Sequence, residues 1–306
     1  MAAAKLIGWG ARVLYLGPAF GLTPHRNATA VLAVGLDAAL EVADDPGDRG
    51  THYRSARSVL ILPNSMHHLR IERGRMAFLY VDPLGRDLRA LVARMTNATP
   101  RAVFDLREES AVFEVFTGLA ENRIAEQDGR VLLGKLLGVG MRGKADLRIA
   151  AALRQMRDEP QRAHRLTTLA ARAGLSPSRF LHLLKAETGV PLRRYRIWNR
   201  MGAAVRASGD GASLTEAAHA AGFASSAHFS CAFRDMFGMM PSDLIRTLRS
   251  PCGSLPGGES GVAGRSKFDP SGRSKSASAA PQWRPPAPHS PEAGYDGDLF
   301  EVGAKG

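Results

Sequence analysis

The chain has 306 residues, 44% of them apolar, and carries 41 Lys and Arg against 29 Asp and Glu, a formal net charge of +12. That length permits two folded domains and a tail. Lys5 is followed by a stretch broken by Gly8, Gly10 and Arg12, which argues against a secretory leader, and no run of eighteen apolar residues is long enough for a membrane span. The two cysteines, Cys231 and Cys252, are too few for a disulfide framework or a zinc site, so a soluble cytoplasmic protein is expected.

The first 140 residues open with short β-prone runs at 11–16, 29–34, 38–43, 58–62, 68–72 and 76–81, separated by clusters of Gly, Pro, Asp and Asn. After Pro83 the pattern turns helical, at 84–95, 108–120 and 129–137. Strands followed by helices argue for a small β-barrel with a helical appendage. Its interior candidates are Val13, Tyr15, Leu32, Val34, Leu60, Leu62, Phe78 and Tyr80, each of which also fits plain core. Neither a Gly-rich phosphate loop nor a nucleophile elbow is present, and no enzyme activity is expected.

A segment then occurs twice, as GLSPSRFLHLLKAETG at 174–189 and GFASSAHFSCAFRDMFG at 222–238. Counted from Ser176 and Ser225, each copy has a large apolar residue at +4 (Phe180, Phe229), another at +8 (Leu184, Phe233) and a helix-stopping Gly at +13 (Gly189, Gly238). Ser176 followed by Pro177 reads as an N-cap with Pro at the first helical position, and Ser225 caps the second copy in the same way. A short helix precedes each copy, at 167–173 before Gly174 and at 214–221 before Gly222, the second opening with a capping box from Ser213 to Glu216. Ala170 and Ala218 stand four residues before each Gly, where two helices must cross closely. This is the helix-turn-helix pattern in duplicate.

At 100° per residue the second helix of each unit has two faces. Phe180, Leu183 and Leu184 share one side of the first, and Phe229, Ala232, Phe233 and Met236 one side of the second. The outward sets fall at the same offsets, +2, +5, +6 and +9: Ser178, Leu181, His182 and Lys185 in one, Ala227, Ser230, Cys231 and Arg234 in the other. Between the copies, 191–208 reads as one long amphipathic helix with Arg193, Arg194, Arg196, Arg200 and Arg206 around Leu192, Ile197, Trp198, Met201 and Val205. Positive charge concentrates here, with 16 Arg and Lys against 8 Asp and Glu between Ala145 and Ser250. From Ser250 onward Gly, Ser, Pro and Ala dominate, and disorder is expected because too little apolar surface is present to offset chain entropy. Trp283, Tyr295, Leu299 and Phe300 are candidate short docking points, and a tail without a role of its own is the favoured reading.

From about Asp146 to Leu248, through both turns, the linker helix and the closing FGMMPSDL at 237–244, the chain resembles the DNA-binding region of the AraC/XylS family of bacterial transcription regulators. The resemblance implies a sequence-specific DNA-binding transcription factor whose two recognition helices enter successive major grooves of double-stranded DNA, about 34 Å apart. It also implies RNA polymerase as a partner and a nucleoid location in a bacterial cytoplasm. Carried over residue by residue, the base-facing positions are Ser178, Leu181, His182, Ser226, Ala227, Ser230 and Cys231. None is Arg, Asn or Gln, the residues that pair bidentately with guanine or adenine, so modest specificity or a reliance on DNA shape is expected. Arg179, Lys185, Arg193, Arg200 and Arg234 are candidates for phosphate contact.

In that family the N-terminal half resembles a cupin-like regulatory barrel with trailing helices at the dimer contact. The likeness here rests on Leu62-Pro63 followed by His67 and on Leu79-Tyr80-Val81-Asp82-Pro83. Catalytic cupins hold a metal through a His pair two apart; His25 is followed by Arg26 and Asn27, and adjacent His67 and His68 would point to opposite faces of a strand. No metal or cofactor is therefore expected. The expected fold is α+β: a cupin-like domain at 1–140 for a small-molecule effector or a homodimer contact, an all-α double helix-turn-helix domain at 145–250, and the tail at 251–306. The competing reading is a ligand-binding protein or enzyme with a vestigial DNA-binding half. Target genes, and activation as against repression, stay open.

Overall fold

A computed structural model of the chain describes residues 4–9, 11–46, 51–71, 73–81, 84, 86–139 and 145–249. The expected tail, with Cys252 and Trp283, lies outside them. Eleven strands are formed among the described residues: β1 (Lys5–Trp9), β2 (Arg12–Pro18), β3 (His25–Arg26), β4 (Val31–Gly35), β5 (Leu40–Ala43), β6 (Arg54–Ala56), β7 (Ser58–Ile61), β8 (Met66–Arg70), β9 (Arg75–Tyr80), β10 (Met95–Ala98) and β11 (Ala102–Leu106). They make a seven-stranded sheet in the order β1-β2-β9-β4-β7-β11-β10 and a four-stranded sheet in the order β3-β8-β5-β6, with every ladder antiparallel. The barrel is thus cupin-like but not closed: no ladder among the described residues joins the two sheets.

Register sets which residues meet. Tyr15 lies opposite Phe78, Phe78 opposite Ala33, Ala33 opposite Val59 and Val59 opposite Phe104, one row across five strands. A second row on the same face runs Val13, Tyr80, Val31, Ile61 and Ala102. Leu14, Leu79, Leu32, Leu60 and Val103 form a row on the opposite face, because successive side chains alternate. The interior set expected from sequence therefore divides: Tyr15, Phe78 and Tyr80 share one face, whereas Leu32, Val34 and Leu60 belong to the other. Both faces of β4 are buried, which removed the alternation that would have told them apart.

The trailing helices are α1 (Arg86–Val92), α2 (Glu109–Ala120) and α3 (Glu126–Leu137). Expected as one helix to residue 95, the first ends at Val92, and Met95 already pairs with Leu106 in the β10–β11 hairpin. That hairpin escaped notice because β10 buries only Met95 and shows no period of two.

Seven helices follow: α4 (Leu147–Asp158), α5 (Leu166–Arg172), α6 (Pro177–Thr188), α7 (Leu192–Gly209), α8 (Leu214–Ala220), α9 (Ser226–Phe237) and α10 (Pro241–Arg249). They build two cores of different kinds. Ile149, Leu153, Met156, Leu169, Phe180, Leu184 and Tyr195 form a core within α4 to α7. Phe223, Phe229, Phe233, Met236 and Leu244, by contrast, belong to one cluster with Tyr15, Val31, Phe78, Tyr80 and Phe104 of the large sheet. Aromatic contacts mark the junction: Tyr80 lies 5.5 Å from Trp198 and 5.7 Å from Phe237, and Phe237 lies 4.5 Å from Phe233. A fully buried ring such as Phe229 or Phe233 is worth roughly 1.5–3 kcal/mol, so the second helix-turn-helix unit draws part of its stability from the sheet. Among the described residues no helix is long and apolar enough to cross a membrane.

Candidate nucleic-acid interface

Each unit is built around a capped helix whose apolar face is fixed by its own core. In α6 the Ser176 side chain accepts from the backbone N–H of Arg179 at 3.3 Å, with Pro177 at the first turn. In α9 Ser225 accepts from the N–H of His228 at 3.1 Å. The capping box at α8 is present in both directions, with Ser213 accepting from the Glu216 N–H and the Glu216 carboxylate accepting from the Ser213 N–H. Gly174 and Gly222 take positive φ at the two turns, and Gly189 and Gly238 take it at the ends of α6 and α9.

Burial fixes the orientation. Phe180 and Leu184 on α6, and Phe229, Phe233 and Met236 on α9, are almost wholly inaccessible. The opposite side of α6 presents Ser178, Arg179, Leu181, His182 and Lys185, all exposed; Leu181 is a large apolar side chain left 38% accessible. On α9 the exposed residues are Ala227, Cys231 and Arg234, and Ser226 and Ser230 are half-buried. The +2, +6 and +9 positions are thus exposed in both helices, and +5 is exposed on α6 and half-buried on α9.

The arginines of α7 separate into two kinds. Arg193 is exposed. Arg194 donates to the carbonyl of Arg26 and pairs with Asp235 at 3.4 Å, and Arg196 donates to the carbonyl of His164. Burial lowers the pKa of both from the ordinary Arg value. These two brace the helix against its neighbours. Arg200 is half-buried, and its Nε donates to the Pro160 carbonyl at 3.4 Å.

What sequence reasoning missed lies at the other end of α9. The Thr23 N–H donates to the Gly238 carbonyl at 2.8 Å, and the Thr23 hydroxyl donates to it at 3.1 Å. This contact spans 215 residues and has no local signature. Among the described residues no group of three His, Cys, Asp or Glu is placed to hold a metal ion.

A family model described as a helix-turn-helix domain matches residues 169–247, from α5 into α10 and through both units. Residues 169–247 form an AraC-type helix-turn-helix domain. The match is to this domain, about a quarter of the chain. Outside the AraC-type domain the comparison is one of fold. The structure of ToxT from Vibrio cholerae O395 aligns with a TM-score of 0.55 at 11% identity, covering 79% of this chain and 99% of ToxT. Wild-type ToxT from V. cholerae strain SCE256 with an unsaturated fatty acid bound aligns with a TM-score of 0.50 at 13% identity, covering 78% and 96%. At that identity the likeness shows a shared fold. No match was found among curated proteins.

Proposed function

We propose that α6 and α9 are recognition helices that enter successive major grooves on one side of the duplex and read two adjacent half-sites. The observation that carries this reading is the duplicated outward face: two capped helices present residues at identical offsets to solvent while their apolar sides are locked in cores. Ser178, Leu181 and His182 face bases from α6, and Ser226, Ala227, Ser230 and Cys231 from α9. Leu181 and Ala227 suit a thymine methyl, His182 an acceptor on guanine, and the serines either class. Arg179, Lys185, Arg193 and Arg234 contact phosphates, and Arg200 divides its donors between the Pro160 carbonyl and the DNA backbone.

The N-terminal half regulates this domain, through a small effector or a dimer contact, because its large sheet shares a core with the second unit. The fatty acid held by ToxT makes an apolar acid the first effector class to try. The protein would act on nucleoid DNA in the cytoplasm and address RNA polymerase there. Genome-wide DNA pull-down followed by footprinting tests the reading. A small number of sharp sites, each with two protected half-sites about one helical turn apart, is expected; uniform background, or a single protected half-site, would remove it.

A further inference from the structure

Where α9 meets the small sheet, the chain has buried a set of imidazoles. His25 on β3 and His67 on β8 are 3% and 1% exposed, with ring centroids 4.2 Å apart. His25 Nδ1 lies 2.8 Å from the Thr23 carbonyl, and His67 Nδ1 lies 3.0 Å from the Ser65 carbonyl. A carbonyl only accepts, so both Nδ1 atoms carry the proton. His67 Nε2 then accepts from the Asn27 side-chain amide at 3.3 Å. Beside them His68 donates from Nε2 to the Leu22 carbonyl at 2.9 Å and accepts at Nδ1 from the Tyr53 hydroxyl at 2.7 Å. The His67 ring, protonated at Nδ1 and accepting at Nε2, is thereby neutral.

The covering element is the end of α9. Gly238 sits so close that a Cβ there would lie 2.5 Å from His25 Nδ1 and from the Thr23 carbonyl. The charged groups facing His25 are Arg194 of α7, which disfavours a second positive charge, and Asp235 of α9, which favours it; His67 and His68 approach from β8. Asp235 is exposed and already paired with Arg194, so it offers little compensation.

We propose that the His25–His67 pair makes the docking of the second helix-turn-helix unit on the small sheet sensitive to protons, so that mild acid releases α9 from the sheet while both halves stay folded. This deepens the regulatory role given above to the N-terminal half and rests on it. The outward face of α9 is open in the docked state, so docking presets the second recognition helix without covering it. Release therefore weakens the second half-site and spares the first, whose core is separate.

Burial pushes His25 down to about 4 and His67 to about 3 from an ordinary 6.5. A neutral ring held low contributes docking stability in full above pH 6.5 and loses it as pH falls from 6.5 towards 4. For His25 alone the open fraction rises about tenfold between pH 7.5 and 5.5.

The Thr23 amide, whose acceptor is Gly238, reports opening directly. In the full-length protein its hydrogen-exchange protection, corrected for intrinsic pH dependence, is expected to fall about tenfold from pH 7.5 to 5.5, whereas the Leu32 amide of the large sheet stays unchanged. His25→Gln and His67→Gln should each shrink that fall, and the double variant should abolish it. Equal falls at Thr23 and Leu32, or an undiminished fall in His25→Gln, would overturn the proposal; should either variant unfold, the wild-type comparison decides alone. Footprints then separate the two layers. Loss of the α9 half-site in acid supports regulation, and an acid-insensitive footprint alongside falling Thr23 protection overturns it. The absence of any footprint at pH 7.5 would instead sink the DNA-reading proposal and leave the proton-sensitive docking standing.

Discussion

Gly189 and Gly238 hold the same place in the two repeats, at the left-handed ends of α6 and α9, with φ of 74° and 71°. Their surroundings differ. A Cβ on Gly189 would meet the Pro63 side chain at 3.4 Å, whereas one on Gly238 would collide with the Thr23 carbonyl and His25. Gly189→Ala should therefore cost only the left-handed penalty, about 1–2 kcal/mol. Gly238→Ala should cost about 2–4 kcal/mol, because overpacking against backbone is added. Urea unfolding of the two variants checks this, and equal losses would mean that the α9 end does not bear on β3. On the face proposed to read DNA the paired positions are His182 and Cys231, both exposed at +6. His182→Ala should relax preference at one base pair by about 1–3 kcal/mol, Cys231→Ala should be nearly silent, and Cys231→Arg should create a guanine preference in the second half-site. Selection from a randomised site measures all three; unchanged preferences in His182→Ala and Cys231→Arg would show that these helices are not docked on bases.

The elements that could be read from sequence are those whose signals are local. Ser176 with Pro177, Ser213 with Glu216 and the closing glycines bound α6, α8 and α9 to within a residue or two, because a cap is satisfied by its own helix. Ser176→Ala should accordingly lower stability by about 1 kcal/mol, read as a drop in unfolding midpoint with an unchanged denaturant slope. The strands were legible only where apolar runs are long. β3 is two residues, and β6 is three with a single buried position, so neither carries a pattern. β1 is broken by Gly8, and it forms because Lys5 to Trp9 pair along β2. In the site, the outward residues followed from periodicity alone. The bracing roles of Arg194 and Arg196 did not, since their acceptors, Arg26 and His164, are remote in sequence.

Over the whole molecule, charge and core are distributed differently. The excess of Arg and Lys between Ala145 and Ser250 is spread evenly, with 8 against 4 Asp and Glu on either side of Pro191. Arg234→Ala should weaken binding to all sequences and make the salt dependence shallower by about one counterion. Titrations on operator and random duplex at several salt concentrations test this; a change in base preference with an intact slope would reassign Arg234 away from phosphate. Apolar packing is not shared evenly, because the first unit closes on α4 to α7 and the second leans on the sheet.

That uneven packing has a consequence for the chain as it is made. Every strand among the described residues is complete by Leu106, yet the rings that cover Tyr80 arrive only with Trp198 and Phe237. At ordinary elongation rates the interval from Tyr80 to Phe237 lasts roughly 10–30 s, and through it the nascent sheet carries an uncovered aromatic edge. The first unit, built from near neighbours in sequence, can close as it leaves the ribosome. The half-made protein, rather than the finished one, is thus the aggregation-prone species, and a chain that stalls between α7 and α9 would hold one finished helix-turn-helix beside a bare sheet.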